Sequence, residues 1–320
     1  MNTEIWRIAM PLREPSPGLP SSLFPAQGTT SKDGLRGFDL TEKDLPDSIK
    51  AKARQHLVNL EVTPSKAKRN LMDLLENASP EHRRVGASWY QDAHDEGERF
   101  ARAHDIHPDV YHGIVAMLSP GTEWGHNVKT AQDLIENGDI NSAAYKGYPL
   151  QLEKAKYLLE STKGHPNPIE EVDKQLGGNK VRSFFNNLAD PVHNGNDVTI
   201  DTHMLRALAN GFTEDKKVGK RLVHIKEKTN LSSSPSFQGA SLGLHPFASD
   251  AVRSVTKTFN KRHGTSYSPM QVQAIIWSHQ KDLYPQSRLN ELTKAYRGSL
   301  GTGRRPNPGS LGPMDPEDIF

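Results

Sequence analysis

Lys180 and Asp201, twenty-one positions apart, form the pattern in this 320-residue chain best suited to chemistry. Lys180 stands in Gly177-Gly178-Asn179-Lys180-Val181-Arg182-Ser183-Phe184-Phe185, where a glycine pair precedes a helical pattern. Asp201 stands in Val198-Thr199-Ile200-Asp201-Thr202-His203-Met204-Leu205-Arg206 and opens the next helix. A primary amine and a carboxylate at two neighbouring helix starts suit work on a sugar–base bond. A neutral amine is in general a nucleophile, and a carboxylate can stabilise nearby positive charge. Partial burial and the positive end of a helix dipole both lower the amine's pKa. Gly177, Gly178 and Asn179 offer backbone N–H groups with no bulky side chain in the way, which suits a phosphate. Each feature also has an ordinary explanation: a surface lysine, a plain turn, a helix N-cap. Asp201 can serve as cap and charge at once.

The elements that must position these residues are helices. Leu45, Ile49, Ala53, Leu57 and Leu60 recur at helical spacing, as do Val110, Ile114, Val115, Met117 and Leu118. Ser79-Pro80, His107-Pro108 and Ser268-Pro269 are helix starts, and Asn137-Gly138 and Asn210-Gly211 are stops. Further helices are expected over 124–136, 152–161, a short one from 168 into the glycine pair, 214–228, 248–263 and 269–281. Residues 229–246, rich in Ser, Gly and Pro, read as an inserted loop, and a last amphipathic piece ends near Arg297. Residues 1–40 and 299–320 carry Pro and Gly without a sustained period and read as disordered arms. No alternating strand pattern of useful length occurs. The fold class is all-α, with about ten helices in one compact body over 41–298.

Composition narrows the function classes. The chain has no cysteine, which excludes disulfides, thiol nucleophiles and iron–sulfur clusters. Its fourteen histidines show no metal-ligand spacing, so neither a metal nor another cofactor is expected. Only 34% of residues are hydrophobic, and no stretch approaches membrane-spanning length or has the form of a leader, which predicts a cytoplasmic protein with no membrane partner. The net charge of +2 is unevenly distributed: Lys216 to Arg297 holds fourteen Lys and Arg against four Asp and Glu, net +10, leaving −8 elsewhere. One basic third suggests a surface that faces a polyanion, although charge runs are more often solvated helix faces.

Five segments together resemble the helix-hairpin-helix (HhH-GPD) DNA glycosylase superfamily. Ile114-Val115-Ala116-Met117-Leu118-Ser119 is similar to that family's apolar helix ending in Leu-Ser before the loop that enters the DNA gap, here Ser119 to Gly121. Lys154-Ala155-Lys156 sits where relatives start their next helix with a Lys-Ala pair. Leu176-Gly177-Gly178-Asn179-Lys180-Val181 resembles a shortened Leu-Pro-Gly-Val-Gly hairpin followed by the catalytic lysine, and Val198-Thr199-Ile200-Asp201-Thr202-His203 resembles the segment with the catalytic aspartate. Gln273-Ala274-Ile275-Ile276-Trp277 is similar to the oxoguanine glycosylase segment in which a glutamine and an aromatic hold the flipped base. The hairpin is about two residues short and lacks its proline, which would suit a divergent, phage-like member closest to the oxoguanine and thymine-glycol glycosylase-lyases.

The resemblance implies two helical subdomains with a helix-hairpin-helix element, acting as a monomer on double-stranded DNA. Lys180 and Asp201 would be catalytic, with Gln273 and Trp277 the base pocket. Gly177, Gly178, Asn179, Arg182 and His203 would contact phosphate, as would the basic set Lys216, Lys217, Lys220, Arg221, Arg253, Lys257, Lys261 and Arg262. The expected activity is extrusion and release of a modified or damaged base, with strand cleavage through a lysine Schiff base. The alternatives are base hypermodification on the same scaffold and a DNA-binding protein without chemistry.

Overall fold

The computed structural model describes residues 43, 47–138, 140, 145, 147, 149–165, 168–211 and 235–283. Among these the chain forms eleven helices and no strand. In order they are α1 (Asp47–Asn59), α2 (Pro64–Glu76), α3 (Pro80–Ala103), α4 (Pro108–Leu118), α5 (Trp124–Asn137), α6 (Pro149–Ser161), α7 (Pro168–Gln175), α8 (Asn179–Ala189), α9 (Thr202–Asn210), α10 (Pro235–His263) and α11 (Pro269–Leu283). The expected arms at 1–40 and 299–320, the basic stretch 214–228 and the last amphipathic piece lie outside the described residues. No described helix is long and apolar enough to cross a membrane.

Local signals set most helix boundaries. Thr63 caps α2 by accepting from Lys66 N, and Ser79 caps α3 in a reciprocal pair with His82. Gly138 stops α5 in the left-handed conformation, φ 71°. One expectation is corrected: the loop placed at 229–246 is helical from Pro235. Leu244, His245, Phe247 and Ala248 pack inward at this point, and their burial outweighs the helix-breaking tendency of Pro246 inside α10.

The described helices bury two apolar clusters. One is built from α3 to α8 around Phe185, Ile114, Met117 and Leu158. The other is built from α1, α2, α9, α10 and α11 around Leu71, Leu74, Val252 and Phe259. Full burial of each such side chain contributes about 1.5–3 kcal/mol. α3 and α11 join the two clusters, and their crossing depends on Gly86: a Cβ there would lie 2.6 Å from the backbone N and Cα of Ile275. His82 Nε2 and Asp282 Oδ2, 2.8 Å apart, tie the same two helices at one end.

Between α8 and α9 the chain is held by buried amides. Asn186 Nδ2 donates to Asp197 Oδ2 at 2.8 Å, and Asn187 Nδ2 donates to the carbonyls of Asn194 and Asp197. Asn187 Oδ1 accepts from Thr199 Oγ1 at 2.9 Å. Burial pushes the Asp197 carboxyl upward against hydrogen bonds from Asn186, Ser183 and Val198 N and the attraction of Arg253. This network fixes the path that delivers Asp201 to the start of α9.

Candidate active site

Lys180 and Asp201 open into one cavity of about 580 Å³, counting the space that opens to solvent at its mouth. α8 delivers the lysine from its first turn. The Lys180 amine donates to Ser119 Oγ at the end of α4 and lies 4.9 Å from the centre of the Phe184 ring. Ser119 in turn donates to Ala116 O at 2.8 Å. Burial lowers the Lys180 pKa to about 8, with the Asp201 charge pulling the other way.

Asp201 is held from two sides. Oδ1 accepts from Met204 N at 2.9 Å as the N-cap of α9, and Oδ2 accepts from Trp277 Nε1 at 2.9 Å. The carboxylate is therefore both a cap and a charge at the cavity wall, as its position before Thr202 allows. Gln273 and Trp277, one turn apart on α11, both line the cavity. Gln273 is buried, and its Oε1 accepts from the Tyr90 hydroxyl at 2.9 Å.

The remaining walls come from residues to which the sequence assigns no role. Trp89 and Tyr90 of α3, Trp124 and Asn127 of α5, and Phe184 of α8 all face the cavity. Trp89 packs edge-on to Trp124 at 4.9 Å and near-parallel to Phe184 at 6.2 Å between centroids. Trp89 and Trp124 stand 35 residues apart in sequence, and nothing in that spacing points to a shared cavity. Asn127 carried a signal that could have been used: with Thr130 it is one of two polar members of the buried stripe Asn127, Thr130, Ala131, Leu134.

The candidate phosphate turn lies between α7 and α8, which are joined by residues 176–178. Gly178 adopts φ 76°, ψ 151°, a region open in practice only to glycine, and α8 has no side-chain cap. Lys154 Nζ donates to Gln175 O at 3.4 Å and stands beside Gly177. Asn179 is buried with its amide nitrogen unpartnered among the described residues.

Other expected contacts are placed differently from a simple basic face. Arg182 is paired with Asp173. His203, expected at a phosphate, is buried edge-on to Trp277 with Nδ1 3.3 Å from Gln280 Oε1. Burial outweighs the pull of Asp201 and, with Arg206 and Lys281 adding to it, lowers its pKa to about 4, so the neutral ring supports the tryptophan. On α10, Arg253 bonds Asn196 O and Asp250, and Arg262 pairs with Glu76, while Lys257 and Lys261 are exposed one turn apart. Lys216, Lys217, Lys220 and Arg221 lie outside the described residues. Gly121 turns the chain after α4 with φ 75°. Among the described residues no group of three His, Asp or Glu side chains is arranged to hold a metal.

Residues 54–234 match the model of DUF7178, a family of unknown function. The chain belongs to this family. No curated protein and no solved structure matches it. The DUF7178 match takes in Lys180, Asp201 and the aromatic walls from α3, α5 and α8, and ends before Gln273 and Trp277 of α11.

Proposed function

We propose that this chain is a DNA glycosylase-like enzyme that takes an extruded base into the cavity, breaks its bond to the sugar and cleaves the strand through a Schiff base on Lys180. The observation that carries the proposal is that a depressed-pKa amine and a doubly anchored carboxylate share one aromatic-walled cavity. With a pKa of about 8, roughly a tenth of Lys180 is neutral at pH 7. A neutral amine that donates to Ser119 keeps its lone pair free for attack.

The nitrogen lone pair forms a bond to the anomeric carbon of the sugar, and the glycosidic bond breaks with its electron pair leaving on the base, which takes up a proton. Asp201 stabilises the positive charge that builds on the sugar during this exchange. The sugar ring then opens, its C–O electron pair passing to the ring oxygen, which takes the proton lost by the amine, and the imine results. Removal of a proton at the adjacent carbon then expels the 3′ phosphate by β-elimination. Trp89, Trp124, Phe184 and Trp277 line the cavity, and contact of an unstacked base with these rings offsets part of an extrusion cost of about a few kcal/mol.

The test is borohydride trapping on duplexes carrying an abasic site, 8-oxoguanine or thymine glycol. A covalent adduct that disappears in Lys180→Gln supports the proposal. Salt-dependent DNA binding with neither adduct nor base release overturns it in favour of a binding protein. Release of a modified nucleotide in place of a free base overturns it in favour of base modification.

A further inference from the structure

We infer that Asn127 selects the base, by accepting a hydrogen bond from an N–H that lies beside a carbonyl on the base's edge; this rests on the glycosylase reading above. Asn127 is 1% exposed and lines the cavity. Its Nδ2 donates to Val115 O at 3.0 Å, in the last turn of α4 where helix carbonyls lack helical donors. That bond sets the amide's orientation, because a flipped amide would place oxygen against oxygen. Asn127 Oδ1 is left buried with no partner among the described residues. A buried acceptor without a donor is costly, and a ligand that supplies the donor relieves it.

The other groups on the cavity wall define what must accompany that donor. Gln273 has its oxygen engaged by the Tyr90 hydroxyl, so the amide nitrogen is its donor end. Both Asp201 oxygens are engaged, by Met204 N and Trp277 Nε1. Among the described lining residues, Asn127 Oδ1 is the one buried acceptor without a partner. An exocyclic amino group brings two hydrogens and would leave one unmet. A lactam edge, one N–H beside one C=O, answers one acceptor and one donor. The aromatic walls require that edge to belong to a planar or nearly planar ring. The substrate class is therefore the lactam bases, of which uracil, hypoxanthine, 8-oxoguanine and thymine glycol are examples.

The experiment measures base release from duplexes carrying each of these four bases, and from the same duplex with the edge N–H of the best substrate methylated. Wild-type protein should release at least one base and should process its N-methyl counterpart at least tenfold more slowly. Asn127→Leu should lower release of the parent base about ten- to a hundredfold. It should lower release of the N-methyl base much less, so that the ratio between the two collapses. Equal loss on both bases in Asn127→Leu would mean a structural role and overturns the inference. A wild type with no preference for the N–H base overturns it without any variant. So does a wild type that forms the Schiff base on an abasic duplex yet releases none of the four. Failure of wild type to trap an abasic duplex at all is a different outcome, and it defeats the glycosylase reading itself.

Discussion

Replacing Asp201 with Asn separates the two electrostatic jobs that the proposed mechanism gives the carboxylate. The variant keeps an oxygen to accept from Met204 N, so the α9 cap is retained; Asn and Asp cap about equally well. It loses the negative charge and sets an N–H2 against Trp277 Nε1–H, where Oδ2 had accepted. Asp201 raises the Lys180 pKa against the larger lowering by burial, so removing the charge must move that pKa further down from about 8. More of the amine is then neutral at pH 7, and taken alone this would speed attack. The transition state, however, loses the charge that balances the developing cation, at a cost of about 10²–10³ in rate, or roughly 3–4 kcal/mol. The rate of borohydride trapping on a duplex that still carries a base the wild type releases, followed from pH 5.5 to 9.5, reads both effects. Wild-type protein should rise about tenfold per pH unit and level off above about 8. Asp201→Asn should level off at a lower pH and a plateau a few hundredfold lower. A midpoint that stays or moves upward would show that Asp201 does not act on the amine, and the mechanism would fall with it.

Trp277→Phe keeps a ring on the cavity wall but removes the donor to Asp201, and should slow trapping about tenfold with binding to undamaged duplex unchanged. Gly86→Ala forces a methyl group into the Ile275 backbone, which cannot rotate away; urea denaturation should show a loss of about 2–3 kcal/mol. Stability should also fall with pH. His203 and His245 are buried with pKa values lowered to about 4 and about 3, so the unfolded chain takes up protons first as the pH drops below 6.5. At pH 5 the loss is about 2 kcal/mol for each, and His245→Gln should blunt the dependence seen in urea titrations. Replacing Lys257 or Lys261 with Gln should weaken DNA binding uniformly across sequences and reduce its salt dependence by about one counterion each, read from binding isotherms at several salt concentrations.

Helix boundaries were largely legible because their causes are local. Ser79-Pro80, His107-Pro108 and Asp201 act within three or four residues of themselves, through a side-chain oxygen or nitrogen, a preset φ and an adjacent N–H. The departure at Pro235 shows where local rules stop. Composition argued for a loop there, yet Phe247 and Ala248 are buried against the second core, and only that partner surface reveals why a helix persists. The charge count behaved in the same way. Arg262 added to the basic third in sequence, but Glu76 of α2 pairs with it across 186 residues, whereas the Arg253–Asp250 pair is local to one turn of α10.

By itself the sequence determined the all-α class, the helix starts that present Lys180 and Asp201, and the one-turn spacing of Gln273 and Trp277. Each depends on interactions within a few residues. Only the tertiary structure decided that these four share a cavity, that Ser119 receives the lysine amine, and that Trp89, Trp124 and Asn127 complete the walls. The positions come from α3, α4, α5, α8, α9 and α11, and Tyr90 meets Gln273 across 183 residues. Helical periodicity states which face of a helix is buried, but not which distant helix covers it. The choice of partner depends on the packing of both cores at once, and the chemistry of the cavity follows from that choice.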